Sequence, residues 1–310
     1  MNPGADPSAT LGTGPPATLR KGPSTRRGMG ASTTLRACVR SARGRFGLGV
    51  AVAIFLVAVA APVIAPTRPA AIDLNAELQP PSVHHPLGTG ENGLDVLTHV
   101  IYGARVSLWV SVFAVGISAI VGVLLGGMAG YVGGLFDEAL MRAVDILLAF
   151  PGILLAIFIT AVMGPSLANV IFALAVTGWT GYARLVRSQV LTLRERDYVR
   201  AARALGAGHA RILARHLLPN AAGPLIVQVT FGIPAAILAE ASLSFLGLGA
   251  PPGTPSWGSL VDQGTQYLLM APHIALFPGL AIALTVLGFN FLGDGIRDAI
   301  DPKAEHASRF

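Results

Sequence analysis

Apolar runs long enough to cross a lipid bilayer recur along this chain, and that recurrence constrains its fold more than any other feature. The first, FGLGVAVAIFLVAVAAPVIAP at 46–66, contains no charged residue. A helix rises about 1.5 Å per residue, so about 20 apolar residues cover the roughly 30 Å hydrocarbon layer. Comparable runs lie near 104–128, 140–163, 167–186, 221–245 and 273–295. Inside lipid every backbone N–H and C=O must be satisfied within the segment, which makes such runs helices. The expected class is therefore all-α, a polytopic membrane protein with about six transmembrane helices. Composition agrees: 53% of residues are hydrophobic and only 12% are charged, against about 25% charged in a typical soluble domain.

The charges orient these spans. Arg20, Lys21, Arg26, Arg27, Arg36, Arg40, Arg43 and Arg45 precede the first run, and Arg184, Arg187, Arg194, Arg196, Arg200, Arg203, Arg211 and Arg215 fall between the fourth and fifth. The 67–103 segment carries only Arg68, and 246–272 carries neither lysine nor arginine. Positive residues stay on the cytoplasmic side. The organisation expected is a basic cytoplasmic tail at 1–45, a first helix at 46–66 and an extracytoplasmic segment at 67–103. A five-helix core at 104–296 follows, with a cytoplasmic loop at 187–219, and a cytoplasmic C-terminal tail at 297–310. The tail, rich in Pro, Gly, Ser, Thr and Arg, reads as disordered, and the first run starts too late for a cleavable signal peptide. The net charge of +6 is explained by topology, so nucleic acid is not an expected partner and the lipid bilayer is. Cys38, the single cysteine, excludes an intramolecular disulfide and makes redox chemistry an unsuitable reading.

The cytoplasmic stretch DYVRAARALGAGHARILARHLLPN, residues 197–220, holds the most specific information. Arg196, Arg200 and Arg203 share one helical face, while Val199, Ala202 and Leu205 share another. Alanine keeps the second face thin enough for close approach of another surface. Gly206 and Gly208 allow a sharp turn, a second short helix runs from His209 to Leu218, Pro219 ends it, and Asn220 caps the next span. The expected form is helix–turn–helix beneath the membrane.

Ala201-Ala202, Gly206 and Leu218-Pro219 resemble the EAA motif of ABC importer permeases, with its Gly-to-Pro spacing intact. HPLGTG, YGARVSL, GGMAGYVGG, MRAVDILLAFP, GWTGYARLVRSQVL, EASLSFLGLG, PSWGSL and GDGIRDAIDP extend the resemblance over residues 84–302, to the C-type subunit of the dipeptide/oligopeptide/nickel permease family. The resemblance implies a type I ABC importer permease fold in the bacterial inner membrane, with both termini cytoplasmic. It implies import of short peptides or related small solutes, nickel among the alternatives. The implied partners are a second homologous permease, two cytosolic P-loop ATPases and an extracytoplasmic solute-binding protein. The site carried over is an ATPase-coupling loop comprising Arg200, Ala201, Ala202, Gly206, His216, Leu218 and Pro219. Two departures stand out: Arg200 replaces the motif's glutamate, and Leu94 stands where the family often has arginine.

Lys21 and Lys303, the only lysines, lie outside any G-x-x-x-x-G-K-[ST] context. The chain is thus expected to be no enzyme and to bind no cofactor itself, ATP-Mg being used by the partner ATPases. Within the spans, Glu240 and Asn290 are the polar groups to watch as a gate or interface contact, because ionisable groups in lipid are costly. Asp294, Arg297 and Asp298 read as an ion-pair cluster. Gly122, Gly126, Gly130 and Gly134 recur every four residues, a spacing that lets helices pack closely. Pro151, Pro234 and Pro278 are kink positions, GPSLAN at 164–169 is a tight hairpin, and Trp257, Leu260, Val261, Tyr267 and Leu268 suit a segment on the outer membrane surface, with ordinary loop packing as the alternative. His84 and His85 lack the partners of a metal site, so none is expected. The rival class, a self-sufficient ion-coupled carrier or channel, calls for an internal repeat or a charged relay at mid-membrane; the sequence has no convincing repeat and few candidates for a relay.

Overall fold

The computed structural model describes residues 38–39 and 41–300, so most of the basic tail and the last ten residues lie outside the described part, and the first helix starts at Ala42 inside the stretch expected to be tail. Every extended element in it is helical, and the one β contact is an isolated bridge between Thr89 and Asp95. Helix α1 is Ala42–Ile64, α2 Val96–Val132, α3 Gly134–Ala149, α4 Gly152–Met163 and α5 Leu167–Leu193. In the loop expected to be cytoplasmic lies α6, Asp197–Ala204. It is followed by α7, His209–Phe245, a continuous helix with a π-helical turn at Leu213–Leu217. Finally α8 is Trp257–Gln266 and α9 His273–Ile300.

Four helices, α1, α2, α7 and α9, are long and apolar enough to cross a membrane, and the bent pair α3–α4 makes a fifth. The expected count of six is therefore approximate. The 27 residues of α5 give about 40 Å of length, but Thr177, Thr180, Tyr182, Arg184 and Arg187 dilute its apolar character.

The third expected span, 140–163, is not straight. Its two halves meet at 85° because Pro151 disfavours helical geometry in the residue before it, and Phe150 is accordingly extended, with φ −92° and ψ 137°. The 12 residues of α4 reach only about 18 Å, and α3 turns aside with Asp137, Glu138, Arg142 and Asp145 on it. The hairpin to α5 is as tight as GPSLAN implies: Gly164 takes φ +85°, and Asn169 donates its side-chain amide to the carbonyls of Met163 and Gly164.

The core is built on close backbone contact. Gly122, Gly126 and Gly130 of α2 lie against Tyr182, Ala183 and Arg187 of α5, with no room for a Cβ. Gly134 lies beyond the end of α2 and faces open space. On the other side Gly47 of α1 packs on Gly288 and Leu292 of α9, and Gly44 on Gly295. Without a hydrophobic drive between helices in lipid, this small-residue contact is what holds spans together.

In the loop before α9, Trp257 and Leu260 of α8 are packed inside the protein, as the loop-packing alternative has it. Trp257 is 1% exposed and donates its indole N–H to the Val100 carbonyl at 2.9 Å. A buried tryptophan needs a partner for that N–H, and the side of Gly103 gives it space. Leu269 and Met270, just beyond, take the exposed positions.

The candidate coupling loop and the polar groups of the spans

The loop is fastened from beneath. Val199, Ile212 and Leu217 are fully buried and pack with Val186 and Val190 of α5. Above them α6 ends as its sequence dictates: Gly206 at φ +83° donates to the Arg203 carbonyl and Ala207 to the Ala202 carbonyl, each at 3.0 Å. This pair of hydrogen bonds closes a helix through a left-handed residue, and glycine takes that conformation without the Cβ clash other residues meet. The apolar face expected at Val199, Ala202 and Leu205 is split. Val199 faces the bundle, Ala202 is half-buried, and Leu205 is 88% exposed beside the exposed Ala201, Ala204, Gly206 and Gly208. The outward crest is thus small and smooth, with one projecting leucine.

Pro219 does not end the second helix. It falls at the first turn after the π turn, where its missing N–H is tolerated, and α7 runs on to Phe245. Asn220 does not cap this helix either. Its side-chain amide donates to the His216 carbonyl at 2.6 Å, which also receives the Tyr198 hydroxyl at 3.4 Å. Burial pushes the Tyr198 phenol above its usual range, with nearby Arg196 opposing. Leu218 is half-buried and approaches Gly127 of α2, while Pro219 is exposed. Arg200, in the motif's glutamate position, extends outward, 4.0 Å from Glu195 and 3.9 Å from Asp197. Such exposed pairs are worth about 0–1 kcal/mol, so Arg200 is effectively an available cation.

A set of ties that sequence reasoning missed fixes the loop to the neighbouring helices. Arg187 of α5 grips Asp137 of α3 through two hydrogen bonds, one of 2.6 Å, and Arg184 pairs with Asp145 one turn or two along the same helices. Arg194 donates to the Gly130 carbonyl at 3.0 Å. Tyr131, at the end of α2, meets His209 Nδ1 at 2.7 Å, and Arg203 lies 6.0 Å over its ring. The acidic residues of α3 carried the signal, but their partners lie 39 and 50 residues away.

Glu240 is 0% exposed. Ser107 of α2 donates to one carboxyl oxygen at 2.6 Å and Ser244, one turn along α7, to the other at 2.8 Å. The group therefore joins α2 to α7 inside this chain. Asn290 of α9 is half-buried, and the structure does not bring it to Glu240. Asp294, Arg297 and Asp298 form no ion pair with one another. At the outer end, His85 Nδ1 lies 3.0 Å from Asp95, whose other oxygen caps α2 through the Thr98 N–H at 2.7 Å. No group of three or more metal-ligating side chains occurs among the described residues.

With this geometry in place, comparison with known proteins is specific. Residues 122–306 match the family described as binding-protein-dependent transport system inner membrane component, and residues 34–81 match the N-terminal transmembrane domain of oligopeptide transport permease C. The dipeptide transport system permease protein of Alkalihalophilus pseudofirmus is 46% identical over 257 residues, 83% of this chain and 84% of its own. That of Bacillus subtilis is 45% identical over 258 residues, covering 83% and 81%. A glutathione transport system permease protein of Escherichia coli is 47% identical over 223 residues, covering 72% and 74%.

Proposed function

Because the chain belongs to the family of binding-protein-dependent transport system inner membrane components, we propose that it is the permease subunit of an ATP-driven importer of short peptides. It spans the cytoplasmic membrane with both ends inside, pairs with a second permease, and receives solute from an extracytoplasmic binding protein. The related proteins named for peptides, dipeptides or glutathione favour a peptide over nickel. The chain is not itself an enzyme and holds no cofactor; ATP-Mg is hydrolysed by two partner ATPases.

The observation that carries this reading is the α6–Gly206–α7 crest. It is small and exposed above, and below it is bonded to α2 through Tyr131 and His209 and packed on α5. A surface that an ATPase moves must transmit displacement rather than absorb it, and Arg200, Ala201, Ala202, Gly206, His216, Leu218 and Pro219 form or brace this crest. ATP-driven closure of the motor would shift it as a rigid body. Uphill transport follows only if ATP binding stabilises one of two states over the other.

The test is reconstitution of the permease pair and ATPases with and without the binding protein. Peptide uptake that needs both ATP and the binding protein is expected; equally fast and selective uptake without the binding protein would place specificity in the spans instead. A β-branched side chain at φ +83° is strained, by about 1–2 kcal/mol or more. Gly206→Val is therefore expected to insert normally and to lose solute-stimulated ATP hydrolysis. Arg200→Glu, which restores the motif residue, is expected to retain it.

A further inference from the structure

At the end of the bundle opposite the coupling loop, the 67–95 segment, the start of α2 and the loop leading into α8 enclose a partly open cavity of about 240 Å³. Its apolar side is formed by Pro69, Ile72, Leu94 and Leu260. Asn92, His99, Thr254 and Gln263 supply polar groups, and no charged side chain among the described residues lines it. The wall carrying Leu94 is fixed by its backbone. Asn92 and Gly93 follow one another at φ +58° and +68°, and the Asp73 N–H donates to the Asn92 carbonyl at 3.1 Å. Gly93 backs onto the Asp73 carbonyl with no room for a Cβ.

His99 gives the cavity its chemistry. It is 8% exposed, and its Nδ1 lies 2.9 Å from the Asp95 carbonyl. A carbonyl only accepts, so Nδ1 carries the proton and Nε2 of the neutral ring is an acceptor. Among the described residues no buried side-chain nitrogen or oxygen lacks a partner. Nε2, which has none, is therefore open, and the space its ring lines is this cavity.

A ligand that fits brings one donor on an apolar body. A free short peptide carries an ammonium and a carboxylate close to any side chain it inserts, and no charge here offsets their loss of water. A side chain on a protein loop brings no such ends. Tyrosine and tryptophan match best, since each buries a large ring and has an O–H or N–H that needs a partner. Thr254 and Gln263, half-buried, complete a polar rim around the apolar floor. Leu94 stands where the family often has arginine, and an arginine on this wall would put a cation into the space.

We propose that this cavity is the socket for one tyrosine or tryptophan on a loop of the extracytoplasmic binding protein, its donor bonded to His99 Nε2. The inference rests on the importer reading, which places this end of the bundle outside. It adds the point at which the chain tells its own binding protein from one suited to arginine at position 94.

The test uses the assembled importer in liposomes with its binding protein, and reads the binding-protein concentration that half-maximally stimulates ATP hydrolysis. Leu94→Arg, which adds a cation, and His99→Phe, which removes the acceptor, are each expected to raise that concentration about tenfold. Leu94→Met keeps the wall apolar and is expected to leave it nearly unchanged. Each surface tyrosine and tryptophan of the binding protein is then replaced by leucine in turn. One replacement is expected to match Leu94→Arg and to add little to it, because groups sharing one contact are not additive. Unchanged stimulation in both permease variants, or full additivity for every aromatic, would overturn the socket. A benzophenone amino acid at Ala70, exposed at the cavity edge, reads the contact without either variant. It is expected to cross-link the binding-protein segment that holds the aromatic; cross-links only to the second permease, or none, would overturn the proposal. An unaltered importer that no binding protein stimulates would instead overturn the importer reading.

Discussion

Glu240 shows what one buried carboxyl contributes when its partners are hydroxyls rather than cations. Each oxygen is satisfied once, by Ser107 and by Ser244. Removing it leaves a void and two hydroxyls without their acceptor. Glu240→Ala is expected to destabilise by about 2 kcal/mol or more, read as a lower midpoint of thermal unfolding in detergent. Glu240→Gln keeps the shape and one acceptor and is expected to lose less. A Glu240→Ala protein with unchanged stability would remove the carboxyl from any structural role. The sequence exposed Glu240 as an anomaly, and Ser244 was legible as its i+4 neighbour. Ser107, 133 residues away, was not, because nothing local marks which serine a distant carboxyl will meet. Trp257 was left between two readings. An interfacial tryptophan and a buried one with a bonded N–H have the same local signature, and only the glycine at 103 on another helix decides between them.

At the scale of elements, the informative case is α3 against α5. Arg187–Asp137 is 31% and 14% exposed at its two side chains, while Arg184–Asp145 is 50% and 55% exposed. The first pair is held out of solvent and bonded twice. The second is the kind of exposed pair that adds about 0–1 kcal/mol. Asp137→Arg is therefore expected to loosen α3, seen as faster proteolysis of the 133–151 region. Adding Arg187→Asp is expected to restore protection. Asp145→Ala is expected to change proteolysis little, and failure of the double exchange to rescue would mean that the ion pair does not set the position of α3. Helices α1, α2, α7 and α9 were readable from their apolar runs, and Pro151 was readable as a kink. The 85° angle was not, since a proline marks where a helix breaks and not how far its halves turn.

For the whole molecule, arginine placement predicts an orientation by a rule that does not depend on packing. Cys38, the natural probe of it, is buried, and burial pushes its thiol above the usual range, which slows its reaction. Leu205 is 88% exposed and Leu269 100% exposed, so Leu205→Cys and Leu269→Cys in a Cys38→Ala background serve better. A membrane-impermeant maleimide is expected to label position 269 in intact cells and position 205 only after permeabilisation; the reverse pattern would invert the topology. The tucked indole at the outer end has an optical consequence. Of the chain's three tryptophans, Trp257 is sealed and hydrogen-bonded while Trp109 is 46% exposed and stacked on Phe113. Lipids brominated along their tails are expected to quench the emission that Trp109→Phe removes, and once Trp179→Phe is added the remaining Trp257 emission is expected to be spared, which leaves a shielded fluorophore whose brightening, dimming or spectral drift reports when the cap over it opens.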